Sequence, residues 1–240
     1  MKLHILGCGD AFGSGGRNQS GYLIEAGQRL FLLDCGPTTL LAMKRAGIDP
    51  LALEAIFLTH LHGDHFGGIP FFFIEYLYQR SRSRPLKIAG PVGTEAKVRD
   101  LFQLMYGAKD LPPVEFHLLE PEKSAQVAGM EIFSFRVPHQ VSDVSLALKV
   151  AYEGKRILFS GDSAWMERFI DEARDVDLFL CECTFYDQGA GNHVRYLTLQ
   201  PNLPRLECKR LLLTHLGEEM LARRNELAAS CAEDEMVIEI

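Results

Sequence analysis

Residues 58–68 read Leu58-Thr59-His60-Leu61-His62-Gly63-Asp64-His65-Phe66-Gly67-Gly68, and they follow directly on the short apolar run at 55–59. His60, His62, Asp64 and His65 are four groups able to bind a metal, set at the C-terminal end of a predicted strand. If extended geometry persists past the strand, His60 and His62 share one side of the chain. Gly63 lets the backbone turn, so Asp64 and His65 approach the same space from a second direction. Buried together without a metal, three imidazoles and a carboxylate would demand many hydrogen bonds. The segment therefore predicts a metal centre with two halves.

Outward from it, residues 2–6, 21–26 and 29–34 alternate or run apolar over strand lengths with glycines between them, which predicts an N-terminal β-meander. A helix is expected after Pro37, stopping at Gly47, and a second from Phe71 to Gln79 behind Pro70. Further strands are expected at 86–89, 114–119, 130–136, 144–151, 156–160, 178–182 and 210–214, with helices at 95–105, 164–173 and 218–227. Strands that first follow one another and then alternate with helices, with no linker or repeat, predict an α/β protein: a four-layer αβ/βα sandwich, two mixed β-sheets with helices on the outer faces. One domain spanning 1–240 is expected.

The T-H-x-H-x-D-H pattern at 59–65 resembles the signature of the metallo-β-lactamase superfamily of dinuclear metal hydrolases. That family's later motifs are matched by His139 in Val137-Pro138-His139, Asp162 in Ser160-Gly161-Asp162-Ser163 and His215 in Leu213-Thr214-His215, each after a predicted strand. The resemblance implies that His60, His62 and His139 bind one divalent ion, Asp64, His65 and His215 bind another, and Asp162 bridges the two. The donor set suits zinc and also accepts manganese or iron. Two such ions acidify a bridging water, so the implied chemistry is hydrolysis by a metal-bridging hydroxide that Asp64 orients.

The opening Leu6-Gly7-Cys8-Gly9-Asp10-Ala11-Phe12-Gly13, with residues 16–22 and Leu33-Asp34-Cys35-Gly36, is similar to the tRNA 3′-processing (RNase Z-like) branch, which cleaves phosphodiesters. Gly-x-Gly there precedes a strand, not a helix, which excludes a dinucleotide-binding turn. Backbone amides with Asn18 or Ser20 near the metals would bind substrate; a tight strand connection is the plainer alternative. Two departures from the branch stand out. A hairpin fills the interval between His139 and Asp162, leaving no room for a tRNA-clamping arm. Cys181 in Leu180-Cys181-Glu182-Cys183-Thr184-Phe185 takes the place of the branch's acid histidine, and a thiol is a poorer proton donor. His193 is the candidate replacement, and Glu182 the candidate residue to fix a histidine.

Composition bounds the reading. The chain has 240 residues, 47% hydrophobic, with a formal net charge of −7, which disfavours long-range capture of nucleic acid. A small-molecule or nucleotide-like substrate is thus expected over tRNA. Six cysteines are too few for a disulfide scaffold, no leader or membrane span is expected, and a reduced cytoplasm is the expected location. The aromatic stretch 71–78 suggests a homodimer contact, a pocket wall or a buried helix, and Arg80, Arg82 and Arg84 suggest solvated loop charges. The expected function is a metal-dependent phosphodiesterase. The alternatives are a lactone, thioester or other carboxylic ester hydrolase on the same site, and a non-catalytic metal-binding regulator or scaffold.

Overall fold

Residues 2–33 fold as the antiparallel meander that their alternation predicts. In the computed structural model, which describes residues 1–107 and 110–240, β1 (Lys2–Gly7), β2 (Gly21–Ala26) and β3 (Arg29–Leu33) pair in sequence, with Leu3 opposite Ile24 and Leu23 opposite Leu32. Helix α1 (Thr39–Arg45) then carries the chain to β4 (Leu53–Phe57), parallel to β3. The helices α2 (Gly63–Phe66), α3 (Ile69–Ile74) and α4 (Thr94–Tyr106) flank β5 (Leu86–Gly90) and β6 (Val114–Leu118), which continue the parallel part.

The second sheet begins antiparallel with β7 (Lys123–Val127), β8 (Met130–Arg136), β9 (Leu146–Tyr152) and β10 (Lys155–Phe159). It turns parallel through β11 (Leu178–Glu182), β12 (Leu211–Thr214) and β13 (Ser230–Cys231), with the short helices α5 (Arg168–Glu172), α6 (Tyr196–Leu199) and α7 (Glu218–Ala222) between or beside them. Strand β14 (Val237–Glu239) returns to pair with β1. The strand orders are β14-β1-β2-β3-β4-β5-β6 and β13-β12-β11-β10-β9-β8-β7.

Alternate residues of each central strand feed different cores. Phe31 and Leu33 of β3 point between the sheets, with Phe57, Ile132, Leu148 and Phe159, while Leu32 points outward against Met43, Phe72, Phe73 and Phe102. Across the other sheet Leu158, Phe179 and Leu213 meet Phe169, Tyr196 and Met220. Strands covered on both faces need continuous apolar runs, which is what the sequence carries, and each fully buried Leu or Phe contributes about 1.5–3 kcal/mol. The result is the four-layer αβ/βα sandwich.

The differences from expectation lie at the margins. Lys123–Val127 is too polar to read as a strand because it forms the sheet edge, with mostly solvent-facing side chains. The helix expected over 71–79 is α helix only to Ile74, and residues Glu75–Gln79 widen into π-type turns. Phe72, Phe73 and Tyr76 are buried there, while Tyr78 stays exposed in an open groove shared with Leu40 and Tyr106. The arginines that follow are tied down: Arg80 pairs with Asp49, Arg84 with Glu54, and Arg82 donates to the carbonyls of Leu51 and Arg84 over the ring of Tyr76. Cys181 and Cys183 are buried in the outer core of the second sheet, as expected of strand residues. Among the described residues no helix is long and apolar enough to cross a membrane.

Candidate metal centre

Both sheets end on the same place. His60 and His62 occupy the loop after β4, Asp64 and His65 lie in α2, and His139, Asp162 and His215 follow β8, β10 and β12. Two groups result, His60 with His62, His139 and Asp162, and Asp64 with His65, Asp162 and His215, the ligand-type atoms in each lying within 4.8 Å of one another. Asp162 joins them: its Oδ2 is 3.8 Å from His60 Nε2 and 3.7 Å from His139 Nε2, its Oδ1 3.2 Å from His65 Nε2 and 3.5 Å from His215 Nε2. The approach is tight enough to dictate sequence. Gly161 has φ 57°, and a Cβ there would sit 2.8 Å from the carbonyl of Leu146 and from Cβ of Thr59. His215 and Asp34 take the left-handed region without being glycine, at φ 57° and 55°, a strain that the surrounding sheets must hold.

The outer nitrogens of the histidines fix which atoms face inward. His65 Nδ1–H donates to Asp34 Oδ2 at 2.7 Å, and His139 Nδ1–H to the carbonyl of Asn192 at 3.2 Å. Thr59 gives its hydroxyl proton to Asp34, so its oxygen accepts from His60 Nδ1–H at 3.0 Å. Thr184 gives its proton to Glu182 and accepts from His215 Nδ1–H at 2.9 Å. All four rings therefore present an Nε2 lone pair to the centre.

That arrangement fits a cation. His62 Nδ1 stands 3.2 Å from His60 Nε2 and 3.0 Å from His139 Nε2, and at most one proton can lie among the three. His65 Nε2 is buried with no hydrogen-bond partner. Burial pulls His60 well below the ordinary histidine value, and lowers His62 and His139 too, so these rings are neutral and ready to ligate. For His65 and His215 burial is outweighed by the carboxylates, Asp162 foremost, which hold His65 well above its usual value and His215 at about 9. A metal, when bound, would take the place of those protons.

Behind the ligands stand residues that the sequence did not single out for the site. Asp34, wholly buried, accepts from Thr59 N, Thr59 Oγ1 and His65 Nδ1, and so orients both halves at once. Burial raises its pKa although His65 and Thr59 pull the other way. A charge inside the apolar run Leu32-Leu33-Asp34-Cys35 was the available signal. Asp34→Ala leaves three donors without an acceptor. Its expected cost is a 10–100-fold weaker metal affinity, read by titration against a chromophoric chelator, with stability lower by about 3 kcal/mol in urea. Wild-type affinity in that variant would remove Asp34 from the site.

Glu182 is buried and accepts from Ser163 N at 2.8 Å, Thr184 N at 3.2 Å and His193 Nδ1 at 2.8 Å. His193 lines the same pocket of about 260 Å³ as His62, Asp64, His139, Asp162 and His215. Burial lowers its pKa, but the Glu182 carboxylate outweighs that and raises it above the ordinary value. Asn18 and Ser20, expected beside the metals, do not line that pocket. Asn18 turns its amide to the carbonyl of Leu6 and borders a separate cavity with His4 and Arg45, and Ser20 is buried with its hydroxyl unpaired. The reason is local: the β1–β2 connection reaches the pocket through Asp10, Ala11 and Phe12, and by Asn18 it has turned back to bond Leu6 and rejoin β2 at Gly21.

Two interlocked mixed sheets with helices outside, carrying convergent histidines and carboxylates positioned for a metal, define a protein of the metallo-β-lactamase fold. Within it, residues 1–232 match the family described as anti-Pycsar protein Apyc1, and the chain belongs to that family. It is 32% identical to a ribonuclease Z of Methanococcus maripaludis over 151 residues, 62% of this chain and 48% of that protein. The chain thus spans about half the length of the curated ribonuclease Z relatives it matches first. It is 26% identical to the probable metallo-hydrolase YhfI of Bacillus subtilis over 90% of this chain and 87% of that one. The crystal structure of the human tRNase Z short form superposes with a TM-score of 0.79 at 25% identity, covering 100% of this chain and 99% of that one.

Proposed function

We propose that this chain is a metal-dependent phosphodiesterase acting on a small or nucleotide-like phosphodiester, with two divalent ions, zinc first among them, held by His60, His62, His139, Asp64, His65, His215 and the shared Asp162. When bound, such ions supply an acidified water and draw charge from the phosphoryl oxygens. Everything else falls to the chain's own groups. Asp64, whose carboxyl His65 and His215 hold well below the usual range against the effect of burial, is an anion throughout and accepts a proton from the attacking water. His193 holds a proton at Nε2 when charged, with Glu182 fixing the ring through Nδ1, and delivers it to the leaving oxygen.

The observation that carries this reading is His193, held by the buried Glu182, in one pocket with the ligand groups. An alkoxide leaves a phosphodiester only with a proton, and a cationic imidazole held by a buried carboxylate is built to give one. The short hairpin β9–β10 between His139 and Asp162, with the net charge of −7, supports a small substrate over tRNA. The family's description as an anti-Pycsar protein adds the setting we propose for the hydrolysis, counteraction of Pycsar. The test is a panel: bis(p-nitrophenyl) phosphate beside lactones and thioesters, after loading with zinc or manganese. Phosphodiester turnover is expected. Turnover of acyl substrates alone refutes the reading.

A further inference from the structure

Phe12 is 86% exposed at the mouth of the pocket that holds the ligand groups, an apolar ring left in water by a fold in which every other phenylalanine is buried or partly buried. The turn beneath it is already built. Asp10, itself buried, accepts from Phe12 N at 3.2 Å, Ser14 N at 2.9 Å and Ser14 Oγ at 2.7 Å, and its carbonyl accepts from Gly13 N at 3.1 Å. The base of the loop is pinned as well: Gly9 N donates to the carbonyl of Asn18, and the carbonyl of Cys8 accepts from His215 N, the backbone of a candidate ligand. Gly15 N reaches Glu218 from the far side. Ordering costs that a flexible loop would meet on binding are therefore already met in the free protein.

The rest of the lining restricts what the ring can hold. Apart from the ligand-type groups and His193, the pocket is walled by Phe12, Phe185, Ala11 and Ala190, with Asp10, Thr184 and Asn192, whose side chains are engaged by Ser14, Glu182 and His139; among the described residues no lysine or arginine lines it. The part of a substrate that lies away from its phosphate is therefore uncharged and flat or apolar. Phe185 is itself fixed. Its ring lies edge-on to His193, with centroids 5.8 Å apart, and a Cβ on Gly189 would come within 2.2 Å of it. A side chain at Gly189 would therefore displace the ring from this wall.

We propose that Phe12 is the stacking platform for the heterocyclic base of a nucleotide substrate, Phe185 being a second apolar wall of the same pocket. This rests on the phosphodiesterase reading for the identity of the reacting bond. A face-on aromatic contact accepts any base, because every base has a π-face, and truncating such a ring commonly costs about tenfold in affinity. The specificity this gives is for the presence of a base, not for which base.

Two measurements on the metal-loaded protein test it. In the first, thymidine 5′-(p-nitrophenyl) phosphate and ethyl p-nitrophenyl phosphate share a leaving group and differ in the nucleoside. Phe12→Ala should lower the ratio of their kcat/KM values about tenfold, mostly through KM, and Phe12→Tyr should restore it. In the second, calorimetry compares thymidine 5′-monophosphate with inorganic phosphate, and Phe12→Ala should weaken the nucleotide about tenfold more than the phosphate. If the wild type hydrolyses neither ester, the phosphodiesterase reading fails and calorimetry alone decides the ring. Equal effects on both ligands, no effect, or no preference of the wild type for the nucleotide overturns the platform. So does a change in oligomeric state on Phe12→Ala, which would assign the ring to contact with a second copy of the chain.

Discussion

Asp64→Ala is expected to lower hydrolysis by at least about a thousandfold and to reduce the metal that co-purifies with the chain. The carboxylate does two things at one position. Its Oδ2 lies 3.3 Å from both His65 Nε2 and His215 Nε2, so it belongs to the second ligand group, and it is the group we assign to accept the proton of the attacking water. Without it the second group keeps His65, His215 and a half-share of Asp162, while the first group is untouched. Metal analysis after gel filtration should therefore show loss from one half, and far-ultraviolet circular dichroism should show the sandwich intact. Asp64→Asn keeps the shape and loses the charge, so it should retain more metal than the alanine variant and still not turn over. Full activity with normal metal in Asp64→Ala would sink the assignment of the whole centre.

The residues positioned for a metal were legible in the sequence because each sits at a fixed place in the pattern, just past an apolar run that becomes a central strand. Such runs are covered on both faces, so their ends are marked sharply, and His139, Asp162 and His215 stand one to three residues beyond β8, β10 and β12. What supports the ligands was harder to see. Asp34, Thr59, Thr184 and Asn192 act through hydrogen bonds to ring nitrogens, and the histidine that each one orients lies in another part of the chain in all but the Thr59–His60 pair. No local periodicity encodes such a bond. Glu182 was legible as a charge ending a buried strand, although its five acceptor contacts, from Ser163, Thr184, His193 and Val194, depend on how β11 packs beside the 184–196 loop. The placement of Asn18 and Ser20 outside the pocket has the same origin. Their nearness in sequence to the Gly-rich opening suggested the site, and only the folded connection shows that Asp10, Ala11 and Phe12 face the pocket while Asn18 and Ser20 do not.

His193→Ala is expected to lower kcat by about 10²–10⁴ on esters with alkoxide leaving groups and by much less on p-nitrophenyl esters, whose phenolate departs without a proton. A residue that merely supported the fold would depress both alike. The pH dependence carries the sharper sign. His193 must be protonated to act, and Glu182 raises its pKa above the ordinary histidine value despite burial. Activity that needs the proton is therefore full below that raised pKa and lost as pH rises through it. Glu182→Gln keeps one acceptor oxygen, which placed at Oε1 still serves Ser163 N and His193 Nδ1, and removes the charge, so the alkaline limb should move to lower pH while metal content holds. In His193→Ala that limb should vanish from the profile of the alkyl ester. Alkyl-ester profiles of Glu182→Gln and His193→Ala that overlay the wild type would show that the proton comes from elsewhere, and would leave the buried carboxylate as a clamp for the 184–196 loop alone.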